Sequence, residues 1–179
     1  MKRVLALVGV LSVVAVGSAR PVQTGATKVE LKQVHMCCEG CEHEVAEILG
    51  KVPGVSGVSA DQKTTSATFT AENPTAAQRA LDALAAGGFH GDPGKDKEYA
   101  FKTDSGVKAG AVKSLTVTGF HNSCPGCVKS FKGAVKGVKG VTGDNAKSRV
   151  GTAEVTGDFD AAELVSALNR AGFHVKVKQ

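Results

Sequence analysis

The sequence predicts an α+β protein made of two tandem β-α-β-β-α-β sandwiches, each an antiparallel sheet with two helices on one face. Three observations carry this expectation. First, the chain of 179 residues repeats itself: a shift of 86 positions superposes Cys38 on Cys124, Cys41 on Cys127, His35 on His121 and "VPGV" (52–55) on "VKGV" (138–141). Second, apolar alternation of period two gives way to helical spacing at the same place in both copies. Third, each copy carries capping-box spacing before its second apolar helix, Thr75 with Gln78 and Asp160 with Glu163. A two-residue slip then brings "GGFH" (87–90) onto "AGFH" (171–174), at a connection where length changes are tolerated.

Taken in chain order, Lys2 and Arg3, the apolar run Val4 to Val16 and the small residues Gly17, Ser18 and Ala19 form a signal-peptide pattern over residues 1–19. The run is shorter than the roughly twenty residues a membrane span needs, so the expectation is export to a periplasmic or extracellular setting, with no stable membrane insertion after cleavage. Val29 with Leu31, and Leu115 with Val117, alternate as half-buried first strands. Val34, Met36 and Phe120 continue the apolar face one register later, which calls for a bulge near Gln33 and Gly119. The first helix of each copy starts at the cysteines, burying Val45, Ile48, Leu49 and Val52 in one and Val128, Phe131, Val135 and Val138 in the other. It stops near glycine, at Gly50 or Gly54 and at Gly137 or Gly140.

"VSGVSAD" and "SATFTAE" read as a strand pair, echoed more weakly around "GTAEVTGD". Leu81 and Leu84, then Leu164, Val165 and Leu168, face inward from the second helices. "FHVKVK" closes the second sheet. In the first, Gly91, Asp92, Pro93 and Gly94 interrupt, and the edge strand is expected to resume at Glu98 to Lys102. The units then span 28–102 and 113–179, joined by a Gly-, Ser- and Lys-rich linker over 103–112.

The chain has five cysteines, and four of them form two C-x-x-C pairs. Two thiols at i and i+3 entering a helix point into one small volume, and the helix N-terminus favours the thiolate a metal needs. Soft sulfur selects soft ions; Cu(I) is satisfied by two or three thiolates where Zn(II) takes four ligands, so the pairs favour Cu(I). A disulfide across two intervening residues adds little stability, but the same layout serves dithiol oxidoreductases, which stay open as an alternative. No Ser–His–acid constellation or phosphate-binding glycine loop accompanies the pairs, so a binding protein is expected rather than an enzyme. The formal charge of +5 falls to +3 once Lys2 and Arg3 leave with the signal, and with one Tyr and no Trp the chain does not suggest a nucleic-acid surface.

The stretch Met36-Cys37-Cys38-Glu39-Gly40-Cys41 resembles the M-x-C-x-x-C loop of the heavy-metal-associated domain, the module of copper metallochaperones and of the N-terminal arms of copper-transporting P-type ATPases. The resemblance covers both units and implies a ferredoxin-like fold, with Cys38 and Cys41 as metal ligands of the first module and Cys124 and Cys127 of the second. It also implies that Met36 supports the loop from below and that Phe89 and Phe173 cover the metal. Departures are Asn122 in place of the methionine, expected to loosen the second loop, and Cys37 where threonine, serine or aspartate is usual; its counterpart is Ser123.

Cys37, His35 and His121 are further candidate ligands. Cys37 offers a third thiolate for trigonal Cu(I), a sulfur bridge between two molecules or the start of a Zn(II) or Cd(II) site, against a spare exposed thiol. Ligation by Cys37 or His35 would favour Zn(II), Cd(II) or Hg(II). The competing expectation for both histidines is a position on the outer face of the first strand. Charge adds a partner signal. Residues 28–90 hold five basic and eight acidic side chains, net −3, and residues 113–179 hold ten and five, net +5. Glu39, Glu42, Glu44 and Glu47 on one metal-loop helix oppose Lys129, Lys132, Lys136 and Lys139 on the other. The expected partner is a metal-donor or metal-acceptor protein, or the other module of the same or a second chain, reached through complementary fields.

Overall fold

The computed structural model describes residues 25–95 and 97–178; the expected signal peptide lies outside them. The first unit runs β1 (Thr27–Leu31), α1 (Glu39–Gly50), β2 (Val55–Asp61), β3 (Ser66–Ala71) and α2 (Pro74–Ala86). The second runs β4 (Ala111–Thr118), α3 (Pro125–Lys136), β5 (Val141–Asp144), β6 (Thr152–Asp160), α4 (Ala161–Arg170) and β7 (Lys176–Lys178). The sheets are antiparallel, ordered β1-β3-β2 and β5-β6-β4-β7, and each pair of helices packs together over its own sheet. This mixed architecture of antiparallel sheets and four helices is consistent with a ferredoxin-like fold.

The periodicity translates directly into packing. Val29 pairs with Phe69 across β1 and β3, and both meet Val45 and Leu49 of α1 and Leu81 and Leu84 of α2. In the second unit Val117 and Val155 meet Phe131, Val135, Leu164 and Leu168. The phase change after each first strand is not a bulge within the ladder. Gln33 and Gly119 take left-handed backbone (φ 58° and 79°) just after β1 and β4 end, and so turn Val34, Met36 and Phe120 inward.

Three expectations are corrected. Asn73, not Thr75, caps α2: its side chain accepts the Ala76 amide at 2.9 Å, with Pro74 in the first turn. Gln78 is thereby free to pair both ways with the Ala100 backbone. Asp160 does cap α4, accepting from Glu163 N–H. The second correction concerns residues 98–102, which form no strand: Tyr99 enters the first core, Phe101 lies on His90, and the edge beside β1 is met by a single bridge, Lys32 with Asp92.

Third, β4 begins at Ala111, and the linker is laid on the second unit. Val177 donates to Ser105, Ala161 and Asp160 bond Gly110, and Asp104 accepts from His174. Among the described residues no helix is long and apolar enough to cross a membrane.

The repeated glycine–phenylalanine stretches hold the two units together. Phe89 and Phe173 form an antiparallel bridge, His90 N–H donates to Gly172, and His174 N–H and His121 N–H both donate to Gly88. Gly88 (φ 80°) lies against the backbone of Gly119 to His121, and Gly172 (φ 85°) against that of Gln33 to His35, so the junction has approximate two-fold symmetry. A Cβ at either glycine would strike the other unit's main chain.

Candidate metal centre

The junction brings the N-termini of α1 and α3 face to face, with Cys38 and Cys124 as their N-cap residues. Neither cap side chain bonds the helix, so both sulfurs are available, and two helix dipoles direct partial positive charge at one place. All five cysteines are free thiols and gather there. Within the pairs, Cys38 to Cys41 and Cys124 to Cys127 are each 3.6 Å, Sγ to Sγ. Between units, Cys38 to Cys124 and Cys41 to Cys127 are each 3.9 Å. Cys37 lies 3.7 Å from Cys41, 3.5 Å from Cys127 and 3.2 Å from Cys124.

The histidines cross over. His121 is buried, not on an outer face: its ring stacks on Phe89 of the first unit at 4.1 Å and its Nε2 is 3.3 Å from Cys41 Sγ. Its Nδ1 faces Glu44 at 3.4 Å. His35 is buried on Phe173 of the second unit at 4.3 Å, and its Nε2 has no hydrogen-bond partner. Each phenylalanine therefore supports the opposite unit's histidine. His90 and His174 lie on the far side of the bridge, stacked 5.8 Å apart beside Phe101.

Protonation follows from the crowding. Burial first, then hydrogen bonding with Cys124 and Cys127, pushes the Cys37 thiol up from its ordinary value. Donation from Cys41 holds Cys127 down to about 6 against the opposing effect of burial. Burial lowers His35 to about 4, with Cys41 opposing and His121 adding to the shift, so its imidazole is neutral at neutral pH. A thiolate at Cys127 and the neutral His35 imidazole with its partnerless buried Nε2 are the donor chemistry of a soft metal site.

The donor atoms of three groups lie within 4.8 Å of one another: Cys37, Cys38, Cys41 and Cys124; His35, Cys37 and Cys127; and Cys41, His121 and Cys127. All seven candidate residues are thus brought together in one cluster. Two features differ from the sequence expectation. The inner thiols are not open: Cys41 and Cys127 have 0% exposure, whereas Cys38 and Cys124 are half-buried and Cys37 is exposed. The charged helix faces do not dock, since among the described residues no lysine of α3 pairs with a glutamate of α1.

Asn122 does not loosen its loop: Nδ2 donates to the Lys147 and Val150 carbonyls, both at 2.8 Å. Sequence reasoning missed Ser123, Glu44 and Gly126 as site residues. The alignment of Ser123 with Cys37 was the available signal for the first.

No protein-family model matches the chain, and no curated protein matches it. Among solved structures, the N-terminal soluble domains of Bacillus subtilis CopA are similar at 15% identity and a TM-score of 0.31, covering 87% of this chain and 95% of that one. The water-soluble region of the P-type ATPase CopA from the same organism is similar at 16% identity and a TM-score of 0.29, covering 87% and 93%.

Proposed function

We propose that the chain is an exported, two-module binding protein for soft metal ions, Cu(I) foremost, each unit being a heavy-metal-associated module. The carrying observation is the convergence of both C-x-x-C pairs and Cys37 on one junction, with Cys41 and Cys127 buried and Cys37 at its surface. Cys38, Cys41, Cys124 and Cys127 hold the cargo, with Cys37, His35 and His121 beside them as further donors. A site whose inner thiols, Cys41 and Cys127, are buried suits a buffer or scavenger better than a rapid carrier. An incoming partner thiol reaches Cys41 or Cys127 only after the units part, which slows exchange with a metal-donor or metal-acceptor protein.

A tetrathiolate set, Cys37, Cys38, Cys41 and Cys124, supports a second reading in which Zn(II) or Cd(II) is bound. Dithiol redox catalysis is less favoured, because the lowered thiol, Cys127, has 0% exposure and a nucleophile must meet its substrate. The deciding experiment titrates the reduced mature chain anaerobically with Cu(I) and with Zn(II) against competing chelators. Tight Cu(I) uptake, abolished when all four C-x-x-C cysteines become serine, is expected; no uptake, or uptake indifferent to those changes, would overturn the proposal.

A further inference from the structure

We infer that the junction takes two Cu(I) ions bridged by one sulfur, that of Cys37, with Cys38 and Cys41 completing a trigonal set on one side and Cys124 and Cys127 on the other. This deepens the soft-metal reading and rests on it. Cys37 touches sulfurs of both units, and the most compact triangle in the cluster joins it to the opposite pair: 3.2 Å to Cys124, 3.5 Å to Cys127, and 3.6 Å between those two. On its own side it is 3.7 Å from Cys41, which is 3.6 Å from Cys38. With a metal–sulfur bond of about 2.3 Å, the value for zinc thiolates, trigonal sulfurs stand roughly 4 Å apart. The Cys37–Cys124–Cys127 triangle reaches that by opening its edges about 0.4–0.8 Å and the Cys37–Cys41 and Cys41–Cys38 edges by about 0.3–0.4 Å, with Cys37 and Cys38 within 4.8 Å of each other. Five sulfurs with one shared supply two three-coordinate ions, with none left over.

A second, independent feature points the same way. Gly126, between Pro125 and Cys127, is where the second loop receives Cys37: a Cβ there would come within 2.9 Å of Cys37 Sγ and 3.2 Å of its Cβ. The equivalent residue in the first loop, Gly40, has only Cys38 Sγ nearby, at 3.7 Å. The asymmetry matches the chemistry, because the position facing the first loop holds Ser123, whose Oγ is 3.8 Å from Cys41 and 3.9 Å from Cys127. One of two pseudo-equivalent bridging positions thus carries sulfur and has a notch cut for it. A single tetrathiolate ion using Cys37, Cys38, Cys41 and Cys124 would leave Cys127, also buried, without a role. Loading balances as two Cu⁺, four thiols and the Cys127 thiolate giving a dinuclear pentathiolate of charge −3 and four protons released to solvent.

The test loads the reduced mature chain anaerobically with excess Cu(I) and reads stoichiometry by native mass spectrometry and metal–metal scattering by X-ray absorption. Two ions per chain with a metal–metal component are expected. Cys37→Ser should keep Cu(I) uptake through the remaining four thiols and lose that component. Gly126→Ala, which keeps all five thiols and suits a helix, should lose or markedly reduce it by expelling Cys37 from its notch. One ion at saturation, two ions without metal–metal scattering, or an unchanged component in Cys37→Ser would overturn the bridge while leaving soft-metal binding intact. No Cu(I) uptake by the parent chain would sink the parent reading and the bridge together.

Discussion

Replacing Gly88 with alanine tests whether the junction holds the site closed. Two effects add. Alanine in the left-handed conformation of Gly88 (φ 80°) costs about 1–2 kcal/mol. Its Cβ would also press on the Gly119–His121 backbone and force apart the bonds that Gly88 accepts from His121 N–H (3.2 Å) and His174 N–H (3.0 Å). Those two bonds are worth about 1 kcal/mol each, so the closed junction should lose about 3–4 kcal/mol in total. At 1.4 kcal/mol per decade, amides that exchange by junction opening should exchange on the order of 10²- to 10³-fold faster. Hydrogen exchange on the reduced, metal-free chain reads this at His121 and His174, with the β3 and β6 amides as internal reference. Gly133→Ala, whose Cβ would meet nothing within 4 Å, is the control and should leave the junction unchanged. If His121 and His174 exchange at parental rates in Gly88→Ala, the junction is not held as argued.

Other outcomes follow from the same structure. Burial, then His174, holds His90 near a pKa of about 4 with Asp92 opposing, below its unfolded 6.5. Its neutral form therefore stabilises the fold fully above pH 6.5, and the contribution is lost as pH falls toward 4. The loss is at most about 3 kcal/mol, and urea melts of His90→Gln should show a flatter decline across that window. Phe131→Ala empties a fully buried position stacked on Phe120 at 4.5 Å, and thermal or urea unfolding should show a loss of about 3–5 kcal/mol. Asp160→Ala removes the acceptor for Glu163 N–H and Gly110 N–H, and a loss of about 1–2 kcal/mol is expected in the same assay.

The legible parts of the sequence were those whose burial is decided within one element. The alternation in "SATFTA" located β3 because its buried face, Ala67, Phe69 and Ala71, lies in the core of its own unit. Helices α1 and α3 were legible because Val45 with Leu49, and Phe131 with Val135, fall at helical spacing on one side. What escaped was burial supplied by the other unit. His35 and His121 occupy strand-exit positions, and the opposite unit's phenylalanines stack on both, with Cys41 and Glu44 also meeting His121.

Tyr99 and Phe101 alternate like strand residues, yet what buries them is the first core and the His90 ring, not a ladder. The opposed charges of the two cysteine helices suggested the mode of approach, but main-chain bonds at Gly88 and Gly172 fix it. Those glycines were visible only as a repeated dipeptide, with no hint in one copy that its missing side chain makes room for the other.

Beneath the sulfur cluster the two halves rest on unlike foundations. Met36 anchors one loop by sinking into the apolar interior, whereas Asn122 clasps the other through two amide-to-carbonyl links. Apolar anchorage weakens as water is chilled. A hydrogen-bonded clasp does not share that dependence, so cooling is expected to weaken the anchor under Met36 more than the one under Asn122.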